Sequence, residues 1–360
     1  MVMMQPSRGF PPEIWLPGDL ETRPHCPVCQ SEERRVLHDK LEDRLFGVPG
    51  CWTLWQCLRC GSGWLDPNPS PQAIGKAYSD YLTHSVPPTE VYLVRKAPLW
   101  RIKQAAVHGL LNRSLGYRFR QALPFSLSRL ILPEIRRRRA LNRVRHLPPP
   151  SSESASLLDV GCGNGSFILI ARHLGYRAIG CEPDPRAAAA ARDCGCEVYE
   201  SSLPCPTLTP RSFDHLTLAH VIEHMHDPLA LLRECYALLR PGGRLWIQTP
   251  NLLGPGHAFW GRDWRGLEPP RHLALFTPDS LLEALHLTGF ADLRLLPSPL
   301  EAWEMYRHSL AIRQGINIRL LRKPRLTREA QYAAKQADRA AIRDPAEAEA
   351  ITAVAWRREE

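Results

Sequence analysis

Leu157-Leu158-Asp159-Val160-Gly161-Cys162-Gly163-Asn164-Gly165 is the stretch on which the reading of this chain turns. Leu157 to Val160 is a short apolar strand, and three glycines at alternate positions follow it directly. Glycine adopts positive φ at little cost and lets the backbone approach a ligand closely. A helix expected over Phe167 to Leu174 begins just beyond, with unsatisfied N–H groups at its start. In a doubly wound sheet such a turn lies outside the carboxyl end of a strand, where ligands bind. Seventeen residues after Gly165, Glu182 closes a second strand in Gly180-Cys181-Glu182-Pro183-Asp184, where a carboxylate can accept both hydroxyls of a ribose. A nicotinamide dinucleotide site wants G-x-G-x-x-G. The spacing here is G-x-G-x-G, with Asp159 two residues before the first glycine. A tight strand–helix turn that holds no ligand is the plain alternative.

Outward from this turn, strands and helices alternate. Arg177 to Cys181 reads as a second strand, Pro185 to Cys194 as an Ala-rich helix, Glu197 to Tyr199 as a weak third strand and Phe213 to Ala219 as a fourth. A helix over Pro228 to Leu239, the turn Pro241-Gly242-Gly243, a strand Arg244 to Gln248, a helix Ser280 to Leu287 capped by Thr277-Pro278-Asp279, and a strand Asp292 to Leu296 complete the series. This βαβ rhythm predicts an α/β fold with a parallel sheet and helices on both faces. Pro148-Pro149-Pro150 and the serines after it mark the clearest linker. The expected organisation is an extended tail over 1–22, a cysteine-bearing unit over 23–71, a basic helical segment and linker over 72–150, and the α/β domain over 151–360.

With these motifs in view, the sequence closely resembles the class I S-adenosylmethionine (SAM) dependent methyltransferases over about residues 155–300. The resemblance rests on the glycine turn, Gly180 to Asp184, Phe213-Asp214, His220-Val221-Ile222-Glu223-His224 with Asp227-Pro228, Leu239-Arg240-Pro241-Gly242-Gly243, and Thr249-Pro250-Asn251. It implies a Rossmann-like seven-stranded sheet whose last strand is antiparallel, for which Ala350 to Trp356 is the candidate, with a helical insertion at about 303–345. It implies that Asp159, Gly161, Gly163 and Gly165 border the methionine part of SAM, that Glu182 holds the ribose, and that Ser201 and Ser202 lie near the adenine.

Methyl transfer from a sulfonium is an in-line displacement that chiefly needs alignment. An oxygen acceptor also needs its proton removed, and His is the usual base near neutral pH. His220 falls directly after the fourth strand, where the resemblance places the methyl group. His224 follows one turn later, and His272 stands in Glu268-Pro269-Pro270-Arg271-His272-Leu273, a loop that forms the acceptor wall in the family. These three are the candidate catalytic residues, His220 being the base. Packing or capping is the competing role for Glu223 and His224. The set His220, Glu223 and His224 also resembles a divalent-cation site of some ubiquinone-pathway O-methyltransferases, though His220 stands where those carry Glu. No Asn/Asp-Pro-Pro-Tyr/Phe follows the fourth strand, which argues against amino methylation of adenine or glutamine.

Cys26-Pro27-Val28-Cys29 and Cys57-Leu58-Arg59-Cys60 form two C-x-x-C pairs with 27 residues between them. Four thiolates at this spacing suit a tetrahedral Zn²⁺ with no open position, hence a structural zinc. This part resembles zinc-ribbon leaders of some bacterial methyltransferases, through Cys60-Gly61, Pro67-Asn68-Pro69 and Tyr78-Ser79-Asp80-Tyr81. The formal net charge is +9, but residues 91–146 hold 14 Lys/Arg against Glu134 alone, a net +13, which leaves 9 − 13 = −4 elsewhere. Arg136-Arg137-Arg138-Arg139 with Leu141, Val144 and Leu147 reads as an amphipathic helix that packs on the α/β domain, with peripheral membrane or lipid-carrier contact the next reading and nucleic acid last. Met1 to Gly18 has no signal-peptide pattern, no run is long and apolar enough to span a bilayer, and 11 Cys without a secretion signal read as cytoplasmic thiols or ligands. The expected activity is methylation, on oxygen, of a small-molecule, sugar or lipid-linked acceptor. An RNA methyltransferase and a non-catalytic SAM-fold adaptor docking partners through its ribbon are the alternatives.

Overall fold

The computed structural model describes residues 15–78, 98–316 and 324–359. The readings made above for 1–14, for Ser79 to Tyr81 and the rest of 79–97, and for 317–323 fall outside these residues. Seven strands build the central sheet: β1 (Ser156–Val160), β2 (Arg177–Cys181), β3 (Val198–Tyr199), β4 (Phe213–Ala219), β5 (Leu239–Pro250), β6 (Ala291–Leu295) and β7 (Ala350–Trp356). Their order is β6-β7-β5-β4-β1-β2-β3. β1 to β5 run parallel, while β7 is antiparallel to both β5 and β6. Chain direction places the carboxyl ends of β1, β2 and β4 along one edge, and the crossover between β1 and β4 makes the switch point there. β5 begins at Leu239 rather than Arg244. The Pro241-Gly242-Gly243 turn is absorbed as a register shift between Leu239 and Arg244, with Gly242 at φ +72°.

Alternating side chains of each strand divide between two apolar layers. Leu158, Val160, Leu216, Leu218, Leu245 and Ile247 pack under the helices Pro228–Leu238 and Pro278–Leu287. Leu157 and Ala178 face the helices Ser166–His173 and Pro185–Asp193, joined by Leu147 and Tyr117 of the preceding segment. Helices therefore cover both faces. The Ala-rich composition of the second of these helices has a packing reason. A Cβ at Gly165 (φ +78°) would lie 3.0 Å from Ala191 Cβ and 2.9 Å from Cys196 Sγ, so this helix approaches the turn too closely for a larger residue.

The N-terminal unit is sewn into the α/β domain. Strands Arg34–Leu41, Trp52–Cys57 and Gly63–Leu65 form an antiparallel sheet whose fourth strand, Ala274–Leu275, comes from the loop after β5. Ala274 pairs with Trp64 and Leu275 with Gly63. The insertion helices Ala302–Arg313 and Arg328–Arg343 pack against the back of this small sheet, through Tyr306, Ala330, Ala334 and Ala337 against Trp52, Leu54 and Leu65.

The basic segment contains helices Pro98–Leu115, Phe125–Ile131 and Glu134–Arg143. Arg138 is buried and donates to Ala341 O at 3.0 Å and Ile342 O at 3.2 Å, and Arg137 pairs with Glu134. Half of the Arg run is thus spent on internal bonds. Leu130 of the short helix is 82% exposed. No helix among the described residues is long and apolar enough to cross a membrane. Just before the linker, Arg145 turns back at φ +48° to form an ion pair with Asp159, which is fully buried in β1 and also accepts from Thr217 Oγ1 at 3.0 Å. Removing one partner of a buried pair leaves an uncompensated charge. Arg145→Ala should lower the unfolding free energy by about 3–5 kcal/mol in chemical denaturation. A loss below about 1 kcal/mol, the range of an exposed pair, would show that Asp159 does not depend on Arg145.

Candidate functional site

The carboxyl ends of β1, β2 and β4 open onto a cavity of about 740 Å³. Gly161 and Gly163 form its floor. Gly161 (φ +65°) lies so near Val221 that a Cβ would meet Cγ2 at 2.6 Å, whereas nothing stands within 4 Å of a Cβ at Gly163. Glu182 borders the cavity and is aimed by two backbone amides, with Gly163 N donating to Oε2 at 2.8 Å and Asp184 N to Oε1 at 3.0 Å. Burial pushes its carboxyl upward in pKa, and those amides oppose the shift only in part. Ser201 and Ser202 lie on the rim, the Ser201 hydroxyl donating to Ser202 O at 2.7 Å. Leu203, Met225 and Leu231 supply apolar wall. Two of the expected cofactor residues sit elsewhere. Asp159 lies beneath the floor, occupied by Arg145 and Thr217, and Gly165 serves as N-cap of the following helix. Neither borders the cavity among the described residues.

At the other end of the cavity His220 follows β4 with φ +55°, its N–H donating to Gln248 O at 2.9 Å. Nδ1 lies 3.1 Å from Oε1 of Glu223, which is fully buried and accepts from Thr249 Oγ1 through Oε2 at 2.9 Å. A carboxylate can only accept, so Nδ1 carries the proton and Nε2 is the basic nitrogen. Enclosure in the cleft works against the imidazolium, while the bond and charge of Glu223 and the charge of Glu301 favour it. Enclosure is the largest single effect, but the contributions of Glu223 and Glu301 together outweigh it and raise the pKa above 6.5. Burial likewise opposes the Glu223 carboxylate, but His220, His224 and His272 outweigh it and bring its pKa down to about 2.

His224 also lines the cavity, with Nδ1 donating to Arg271 O at 3.0 Å and 2.9 Å from the Tyr78 hydroxyl. His272 does not. It is 5% exposed behind His224, donates through Nδ1 to Gly266 O at 2.7 Å, and is pushed down to about 4 by burial against the opposing pull of Glu268. It is a neutral, buried residue at physiological pH. The structure also groups Glu223 and His224 with His272 rather than with His220, their possible ligand atoms lying within 4.8 Å of one another. The sequence reading assigned no role to Ile74 and Gly75, which complete the cavity rim, or to Asp43, whose carboxylate meets Arg271 at 2.9 Å. Tyr78 was visible as part of a Tyr-rich stretch, but only folding brings it to His224.

Cys26, Cys29, Cys57 and Cys60 come together with all four Sγ atoms within 4.8 Å, the pairs Cys26–Cys60 and Cys29–Cys57 at 3.5 Å. A tetrahedral ion bonded at about 2.3 Å to each sulfur needs sulfurs roughly 3.8 Å apart, so the donor set fits zinc.

A parallel sheet with an antiparallel seventh strand, a G-x-G-x-G turn over a cavity and an acid at the end of β2 together define the class I SAM-dependent methyltransferase architecture. Residues 133–295 match the family described as "Methyltransferase domain". A relative from Xanthomonas euvesicatoria, named ubiquinone biosynthesis O-methyltransferase, is 35% identical over 104 residues, covering 27% of this chain and 44% of its own. One of the same name from Methylocella silvestris is 30% identical over 169 residues, covering 41% and 66% respectively. The chain thus spans about half to two thirds of these relatives. A SAM-dependent methyltransferase structure from Mesorhizobium loti is 19% identical, with a TM-score of 0.41 over 61% of this chain and 96% of that one, too distant to bear on activity.

His220 should titrate above pH 6.5 when its ring protons are followed by NMR in the intact protein. Glu223→Gln removes the carboxylate that holds the imidazolium, so the titration should move to lower pH. An unchanged midpoint would show that Glu223 does not set it.

Proposed function

We propose that this protein transfers a methyl group from SAM to a hydroxyl oxygen of a small or carrier-linked acceptor, with His220 as general base. The observation that carries this reading is the single cavity with Glu182 at one end and the Glu223-oriented His220 at the other. Bound there, SAM would be held by the Gly161–Gly163 backbone and the Glu182 carboxylate, and it would supply an electrophilic methyl group. The Nε2 of His220 would take the acceptor's proton as the oxygen attacks, and Glu223 would balance the imidazolium that forms. The names of the relatives favour oxygen over nitrogen as the acceptor atom. His224 and Tyr78 form the wall beside that position. The exposed Leu130 of the basic segment suits peripheral contact with a lipid or lipid carrier, while none of the aromatics among the described residues of that segment is exposed as RNA binding would favour.

The four cysteines are proposed to hold one structural zinc. The ribbon sheet shares a strand with the loop carrying Arg271 and His272, so the ion would brace the acceptor wall rather than take part in chemistry.

With a hydroxylated acceptor found by SAM-dependent mass gain, His220→Ala should lower kcat by about 10²–10⁴-fold while leaving the SAM Kd nearly unchanged. Loss of SAM affinity in this variant would make His220 a structural residue, and full activity would remove it as the base. Metal analysis should find one zinc per chain. Cys57→Ser should lose it together with a large part of the thermal stability, and a metal-free protein of unaltered melting temperature would contradict the zinc assignment.

A further inference from the structure

At the amino ends of the sheet strands, the edge opposite the glycine turn, lies a second cavity of about 660 Å³. Its walls come from the starts of β4 and β5 (Asp214, His215, Arg244) and from Arg294 of β6 and Trp356 of β7. Arg244 is 8% exposed, and its Nη1 has no hydrogen-bond partner. The face of Trp356 lies 5.9 Å from its guanidinium. His215 Nδ1, also buried, has no partner either. Burial and the charge of Arg244 hold both His215 and the neighbouring His146 down to about 4, so these rings add no charge near neutral pH. Among the described residues that line the cavity, the one carboxylate is Asp214, engaged by Arg240 at 2.9 and 3.0 Å. Arg294 projects at the exposed mouth, its guanidinium 5.2 Å from the Trp356 ring.

Three guanidiniums therefore face one carboxylate, and the most deeply buried of them has no anion. Arginine cannot shed its proton to escape that cost. We propose that this cavity binds a phosphate-bearing small molecule, with the phosphate between Arg244 and Arg294 and an apolar body against Trp356, Val354 and Leu296. The guanidinium fork matches phosphate oxygens in pairs, and the indole offers a flat surface to a planar body. The site is separate from the SAM cavity and independent of the methyl-transfer reading.

Calorimetry on the full chain at fixed ionic strength, without and then with S-adenosylhomocysteine, tests this with phenyl phosphate and inorganic phosphate as probes. One phenyl phosphate per chain is expected, bound more tightly than inorganic phosphate because its ring packs on Trp356. Arg294→Ala changes an exposed side chain and should weaken binding about tenfold. Arg244→Met should do the same or more, and the Arg294 variant keeps the test decisive if the Arg244 variant does not fold. No heat at millimolar probe, equal affinity in Arg294→Ala, or displacement of phenyl phosphate by S-adenosylhomocysteine would overturn the proposal.

Discussion

Arg271 is the cation on which the arrangement of the site depends. It is fully buried, and its charge meets Glu268 at 2.9 Å and Asp43 at 2.9 Å while Nη1 donates to Ala77 O at 3.1 Å. Asp43 belongs to the N-terminal unit, Ala77 to the short helix Ile74–Tyr78 that follows it, and Glu268 to the loop after β5. Its own carbonyl accepts from His224. One side chain thus fastens the N-terminal unit to the loop after β5 and fixes the His224 ring that lines the cavity. A buried cation held this way demands that every partner be in place, since loss of any one leaves charge without compensation. It explains why the N-terminal unit and the α/β domain share a sheet here rather than hang on a linker.

Glu223 does the same for the His220 end of the cavity. Its two oxygens serve His220 and Thr249, so the end of β4 and the end of β5 are tied through one carboxylate. The left-handed backbone of His220 (φ +55°) is a strained conformation for a residue with a Cβ, held by Glu223 and by the amide bond to Gln248 O. Strain of this kind, at the switch point of the sheet and beside a buried acid, suits a group that must be presented to a ligand.

Much of the fold was legible because its signals are local. Alternation of apolar strands with capped helices gave β2 and β4 to the residue, the last strand implied by the family resemblance falls on β7, and the two C-x-x-C pairs foretold a four-sulfur cluster. Glu182 could be placed because its strand end and the glycine turn have a fixed relation in such sheets. What was not legible depends on contacts between distant residues. Nothing local in Asp159 says that Arg145 will reach back to neutralise it, and nothing in His272 says that it will lie behind His224 instead of beside the cavity. The strand Ala274–Leu275 is two residues long and carries no pattern, yet it adds the fourth strand to the N-terminal sheet. The basic run promised a charged surface, and Arg137 and Arg138 instead form internal bonds.

The central claim is that the cavity over the glycine turn takes SAM through Glu182. Equilibrium binding of S-adenosylhomocysteine tests it without any acceptor. One molecule should bind per chain, and Glu182→Ala should weaken it by about tenfold or more through loss of two charge-assisted ribose bonds, with the fold intact by circular dichroism. A native chain that binds neither S-adenosylhomocysteine nor SAM, or a Glu182→Ala variant that binds as tightly as the native chain, would contradict the account.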